Sequence, residues 1–181
     1  MKKTYKLVTI SIYVALAIVL DVIKEFIPLL NMPSGGSINI ALIPIALCSF
    51  HLGIKEGLIV GSLWFIVTCL LGLNKYFISF GQIFFDYIIP SVIVGTSSFL
   101  YRKKKLIEIE FGIFITMLIR TLSICISGAY YWCESSEVAG SVNAWFFSLT
   151  YNLPYSIATL LMLLIVIPIL LKSLKKYIYN I

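Results

Sequence analysis

The 181-residue chain is 60% hydrophobic and 12% charged, with a mean hydropathy of +1.02 and a formal net charge of +6. Soluble domains carry about 25% charged residues, and a chain of this length has no interior large enough to hide so much apolar surface, so lipid must solvate much of it. That argues against a soluble enzyme and against nucleic acid as the partner, since Lys and Arg collect in the cytoplasmic loops of membrane proteins.

A spanning helix needs roughly 20 mostly apolar residues, so the chain has room for about six spans with short loops. The fold class expected is all-α integral membrane, one six-helix domain over residues 1–181. Met1-Lys2-Lys3 and the apolar run after it imitate a signal peptide. The run reaches Asp21 without a small-residue cleavage site, which favours an uncleaved first helix. Helix one is expected over 5–30, and the breaker Asn31-Met32-Pro33-Ser34-Gly35-Gly36-Ser37 follows it. Helix two is expected over 38–52, helix three over 57–73 after Gly53-Ile54-Lys55-Glu56, and helix four over 76–101 after the turn Asn74-Lys75. Arg102-Lys103-Lys104-Lys105 closes helix four. Helix five is expected over 111–132 and helix six over 145–171, ahead of a lysine-bearing tail.

Lys2, Lys3, Lys6, Lys55, Arg102, Lys103, Lys104, Lys105, Lys172, Lys175 and Lys176 all fall on one side of this arrangement. Lys24 and Lys75 fall on the other, and Arg120 lies within helix five. The imbalance predicts both termini in the cytoplasm. Of the four cysteines, Cys48, Cys69 and Cys125 lie in apolar segments and Cys133 in a loop. Their spacing fits no zinc site, so no metal or other cofactor is expected.

An ionisable residue in mid-span costs about 2.5–3.5 kcal/mol on insertion scales. Asp86 and Arg120 stand out on that ground. They can pair with each other across the bundle, or at least one can line a cavity. Gln82 and Ser79 share a helix face with Asp86. Pro90 cannot donate to the carbonyl of residue 86. A carboxylate, an amide and a bare carbonyl together suit a cationic or amine-bearing ligand. Arg120, Ser123, Ser127 and Tyr131 form a stripe on helix five, and Trp145, Ser148, Asn152 and Tyr155 a stripe on helix six. The polar faces of helices four to six are expected to converge near their outer ends. A flat aromatic ligand there would stack on Trp132 or the tyrosines, with Asp86 and Asn152 at its polar edge. Ser11 and Ala15 in helix one, and Gly57 and Gly61 in helix three, are small residues four apart. Each pair serves either internal packing or a groove for another membrane subunit. No HExxH, GxSxG or Walker A pattern occurs, so enzymatic chemistry and ATP hydrolysis by the chain itself are not expected.

The stretch Met32-Pro33-Ser34-Gly35-Gly36-Ser37, then Ile43-Pro44-Ile45, then Gly53-Ile54-Lys55-Glu56-Gly57 resembles the thiamine-specific substrate-binding subunits of energy-coupling factor transporters, the ThiT/YuaJ family. Phe85-Asp86-Tyr87, Ile126-Ser127-Gly128 and Ser148-Leu149-Thr150-Tyr151-Asn152 resemble that family's motifs in helices four, five and six. The resemblance runs through nearly the whole chain in order and spacing. It implies capture of a vitamin from the outside. It also implies docking to a transmembrane coupling subunit with two ABC-type ATPases. By position, Asp86 would bind the ligand. Tyr87, Tyr76, Trp132 and Asn152 would line the pocket, with Phe147, Gln82 and Gly36 beside them. Ser11 and Ala15 would form the docking face. Many members have a histidine where this chain has Ile124, and some a tyrosine where it has Phe147. Those departures remove polar contacts and keep thiamine's pyrimidine precursor open as a ligand. Two other readings remain: a stand-alone proton-coupled carrier using Asp86, and a structural partner whose Asp86, Gln82 and Asn152 hold helices together.

Overall fold

The computed structural model describes residues 2–32, 36–74, 76–103, 105–132 and 138–174. The described residues form no strand. A single bridge between Asn31 and Ser37 closes the connector after the first helix. Six helical segments follow one another: α1 (Lys2–Glu25), α2 (Leu42–Leu52), α3 (Ile54–Leu70), α4 (Phe80–Thr96), α5 (Leu106–Tyr131) and α6 (Val142–Ser173). Three of them, α1, α5 and α6, are long and apolar enough to cross a membrane, and α2 and α4 are shorter apolar helices. The chain is an all-helical membrane protein.

The helix ends differ from the sequence expectation for local reasons. Helix two begins at Leu42 instead of residue 38 because the Asn39 side chain accepts the Ala41 N–H (3.1 Å), while the Asn39 N–H goes to Thr159 Oγ1 (3.2 Å). Asparagine competes with helix in this way by taking up nearby backbone donors. The 11-residue α2 rises only about 16 Å, and most of its residues are buried. It is a core helix, not a full span. Gly53, at φ +114°, is the single residue between α2 and α3, so helix three starts at Ile54. Gly72, at φ +68°, ends α3: its N–H bonds the Cys69 carbonyl and the Leu73 N–H bonds that of Thr68. Such paired bonds satisfy carbonyls that a helix end leaves open. Helix one stops at Glu25, before Pro28 starts a single 3-10 turn.

The bundle has two unlike halves. Ile10, Tyr13, Val14 and Ala17 of α1, most of α2, Val60 and Trp64 of α3, Ile109, Ile113 and Met117 of α5, and Leu163, Ile167 and Leu171 of α6 make one apolar core. The other half holds the buried polar residues Gln82, Ser123, Ser127, Ser148 and Asn152. Lys6 and Glu56 pair at 2.6 Å at the apolar end, tying α1 to α3.

Small residues bring the helices into backbone contact. A Cβ at Gly57 would collide with the Gly95 carbonyl oxygen and stand 2.9 Å from Ser49 Cβ, and one at Gly61 would collide with the Ser91 carbonyl oxygen. The Gly57/Gly61 pair therefore packs α3 on α4 internally, as small-residue pairs do in membranes where van der Waals contact drives association. Ser49 donates to Ser98 (2.8 Å), and the Ser97 and Thr116 hydroxyls meet at 3.0 Å. Ser11 and Ala15 face the other way. Both are exposed, on the same side of α1 as the exposed Leu7, Val8, Ile12 and Val19.

Gly57→Leu should therefore lower the unfolding free energy in detergent by about 1–3 kcal/mol through overpacking. Ser11→Leu, on the outward face, should leave it unchanged. Thermal unfolding of the two variants checks the contrast.

Candidate ligand-binding site

Helix α4 is not a regular α-helix. Ser79 caps its start, its hydroxyl oxygen accepting the Gln82 N–H at 3.2 Å. Pro90 has no N–H to return to residue 86, and over Phe84–Ile88 the chain takes a wider turn in which the Ile89 N–H reaches the Phe84 carbonyl. Such π-bulges inside helices are frequent at functional sites. This one carries Asp86. The Phe85 carbonyl accepts from the Ser123 hydroxyl of α5 (2.6 Å), which fastens the bulge to the neighbouring helix.

Two donors converge on one oxygen of Asp86. Gln82 Nε2 donates to Asp86 Oδ2 at 2.9 Å, and Trp132 Nε1 donates to the same atom at 3.0 Å. Gln82 is wholly buried, and its Oε1 accepts the Ile78 N–H (3.3 Å), so it also folds the stretch before α4 back on the helix. The Tyr76 ring meets Trp132 edge-on at 6.0 Å. Tyr87 donates its hydroxyl to the Tyr76 carbonyl (3.1 Å). Buried carboxylates need such hydrogen bonds, because desolvation is otherwise too costly.

The opposite wall belongs to α6. Asn152 Nδ2 donates to the Ser148 carbonyl (2.9 Å) and to Ser148 Oγ (3.2 Å), and its Oδ1 accepts from the Tyr155 hydroxyl. Ser148 in turn donates to the Cys125 carbonyl of α5 at 2.8 Å. Gly128 allows this approach: a Cβ there would collide with Ser148 Oγ. Phe147 and Tyr151 stack at 6.2 Å and 24°, and Tyr151 meets Tyr155 edge-on at 6.2 Å.

Between the walls lies a cavity of about 370 Å³, bounded on α5 by Ile124, Gly128 and Trp132. Small-molecule pockets have this size and this mix of aromatic surface with a few placed polar groups. Of the residues singled out in the sequence, Asp86, Tyr76, Trp132, Phe147, Ser148, Asn152 and Tyr155 line it. Gln82 stands behind Asp86 and Tyr87 behind Tyr76. Tyr87 faces the rings of Phe65 and Phe77. Gly36, at φ +76°, lies flat against the Tyr155 ring, where a Cβ would collide. The rest of the connector motif, Pro33 to Gly35, lies outside the described residues, as does Cys133.

Helix five is turned by one residue from the sequence expectation. The stripe Arg120, Ser123, Ser127, Tyr131 does not line the cavity. Ser123 bonds the α4 backbone, and the Tyr131 hydroxyl sits where a Cβ on Gly81 would be. The lining ridge is Ile124, Gly128 and Trp132. Asp86 and Arg120 do not form an ion pair: Gln82 and Trp132 hold the carboxylate, and Arg120 Nε and Nη1 find no acceptor among the described residues. Gly128 and Tyr151 were not among the expected site residues. Gly128 lies four residues before Trp132 and Tyr151 four after Phe147, and those steps are the signal that points to them.

The sequence matches the model of the thiamine transporter protein family (Thia_YuaJ) over residues 7–179. The chain belongs to that family. It is 32% identical over 180 residues to the thiamine transporter ThiT of Bacillus subtilis (strain 168), an alignment covering 93% of this chain and 91% of that protein. Its fold is similar to the solved structure of ThiT from Listeria monocytogenes, with a TM-score of 0.74 and 25% identity over 97% of this chain and 98% of the other. Family membership makes the chain a multi-pass protein of the bacterial cell membrane with a transport role and no enzymatic one.

The bond from Ser123 to the Phe85 carbonyl is the direct tie between the bulge and α5. Ser123→Ala should cost about 1 kcal/mol of stability, read as a lowered unfolding temperature of the purified protein without ligand.

Proposed function

We propose that the chain is the substrate-binding subunit of an energy-coupling factor importer and that it captures thiamine in the cavity between α4, α5 and α6. The observation that carries this reading is the Asp86 carboxylate, held by two N–H donors in a cavity walled by Tyr76, Trp132, Phe147 and Tyr151. Thiamine joins a permanently positive thiazolium to a flat aminopyrimidine. A preset carboxylate offsets the positive charge. Aromatic faces attract a cation through the ring quadrupole, by about 2 kcal/mol or more where water is excluded. Asn152 offers an amide to the polar edge of the pyrimidine. Ile124 and Phe147 add apolar area at positions where many members of the family carry a histidine and some a tyrosine, respectively, so binding here depends on charge and stacking.

The orientation proposed puts both termini in the cytoplasm, in keeping with the basic residues of the N-terminus, the 102–105 loop and the tail. The cavity lies in the half of the bundle away from the apolar core and its Lys6–Glu56 pair, which then faces outward for capture. The chain has no ATP-binding motif, so a transmembrane coupling subunit with two ABC-type ATPases supplies the energy. The exposed side of α1 with Ser11 and Ala15 is the docking face in this reading, small enough there for a partner helix to approach closely.

Titrating thiamine into the purified protein and following tryptophan fluorescence tests the substrate. Quenching at micromolar thiamine is expected, with Trp132 inside the site. Asp86→Asn should weaken binding by roughly 1–3 kcal/mol, the worth of a hydrogen bond to a charged group. A flat titration of the wild-type protein, or equal affinity in Asp86→Asn, would contradict the assignment.

A further inference from the structure

Arg120 is a buried charge that the binding reading does not use. It is 7% exposed, and its Nε and Nη1 have no hydrogen-bond acceptor among the described residues. It lies on α5 one helical turn before Ile124, at the start of the ridge that continues through Gly128 and Trp132. It is therefore just deeper than the cavity. Its electrostatic partners are Tyr155 and Asp86, both of which line that cavity.

A buried guanidinium needs a counter-ion, and among the described residues the other acids are taken or remote. Asp21 and Glu25 are paired with Lys24, and Glu56 with Lys6. Glu108 accepts the backbone N–H groups of Lys103 and Lys105. Glu110 is ten residues back along α5, about 15 Å away. That leaves Asp86. Its hydrogen bonds among the described residues both fall on Oδ2. Gln82 and Trp132 therefore keep the carboxylate in place from one side, and Oδ1 is the atom left for a positive partner.

We propose that Arg120 is an internal counter-ion that competes with a bound cation for Asp86. With the cavity empty, the guanidinium field neutralises the carboxylate. A ligand cation entering from the outer end takes over that role and leaves Arg120 uncompensated. The bound state is raised in free energy by that displaced charge, and release is correspondingly easier. Arg120 acts through Asp86 and is a positioning residue for the charge of the ligand, without touching it. The inference rests on the thiamine reading of the site.

The test compares two ligands of the same shape and different charge: thiamine and its neutral thiophene isostere, 3-deazathiamine. Binding of each to the purified full chain is measured by tryptophan fluorescence, with dissociation rates by stopped flow. Arg120→Gln should bind thiamine about tenfold more tightly and release it more slowly, since the charge that opposes the cation is gone. Its affinity for the neutral isostere should not change, which a merely structural role for Arg120 could not produce. Arg120→Lys, which restores a positive charge, should return the thiamine-to-isostere ratio toward that of the wild type, and it serves if Arg120→Gln does not fold. Thiamine binding that is unchanged or weaker in Arg120→Gln overturns the inference alone, as does an equal change for both ligands, or a ratio in Arg120→Lys far from wild type. Failure of the wild type to bind thiamine overturns the substrate reading and this inference together.

Discussion

A carboxylate inside a lipid-solvated bundle must be held by other groups, and most of the half of this protein around the cavity serves to hold one. Asp86 sits on a π-bulge, with Gln82 below it on the same helix and the Trp132 indole reaching it from the end of α5. Each of these is itself placed by something else. Gln82 takes up the Ile78 N–H, Ser123 fastens the bulge through the Phe85 carbonyl, and Tyr76 lies edge-on to Trp132 while Tyr87 holds its carbonyl. A charge kept in place by fixed dipoles costs no reorganisation when a ligand arrives, which is the physical meaning of a preorganised site.

That arrangement needs helices at close and fixed separations. Lipid tails are as apolar as leucine, so burial of apolar area cannot draw the helices together, and backbone contact has to do it. Gly57 on Gly95, Gly61 on Ser91 and Gly112 on the Ser97 carbonyl lock α3, α4 and α5 in the half away from the cavity. Gly128 on Ser148 does the same for α5 and α6 at the cavity itself. The half packed around α2 is closed by apolar side chains, and the half with the cavity is where polar groups have been left room. Transport folds need this division, because a site must be firm in its walls and open at one end.

The lipid constraint made the class of fold readable from composition, since runs of apolar residues separated by basic clusters admit few other arrangements. Boundaries were less readable where a side chain takes over a backbone donor, as Asn39 and Ser79 do. Pro90 announced a disturbance in helix four. It did not say that the chain would widen over Phe84–Ile88, because that choice depends on Ser123 across the interface. The same bond explains why the polar stripe of helix five misled: hydroxyls in a membrane satisfy neighbouring backbones as readily as they line cavities, and here Ile124 and Gly128 face the space instead. On helix six the polar step from Ser148 to Asn152 to Tyr155 was readable, since all three lie on one face and that face turns inward.

The space between Asp86, Trp132 and Asn152 is the proposed seat of the transported molecule. A crystal structure of the protein grown with thiamine tests it most directly. Ligand density is expected to fill the cavity of about 370 Å³, with the thiazolium beside Asp86 and Trp132 and the pyrimidine toward Asn152. Thiamine bound at another place in the bundle, with this cavity empty, would contradict it.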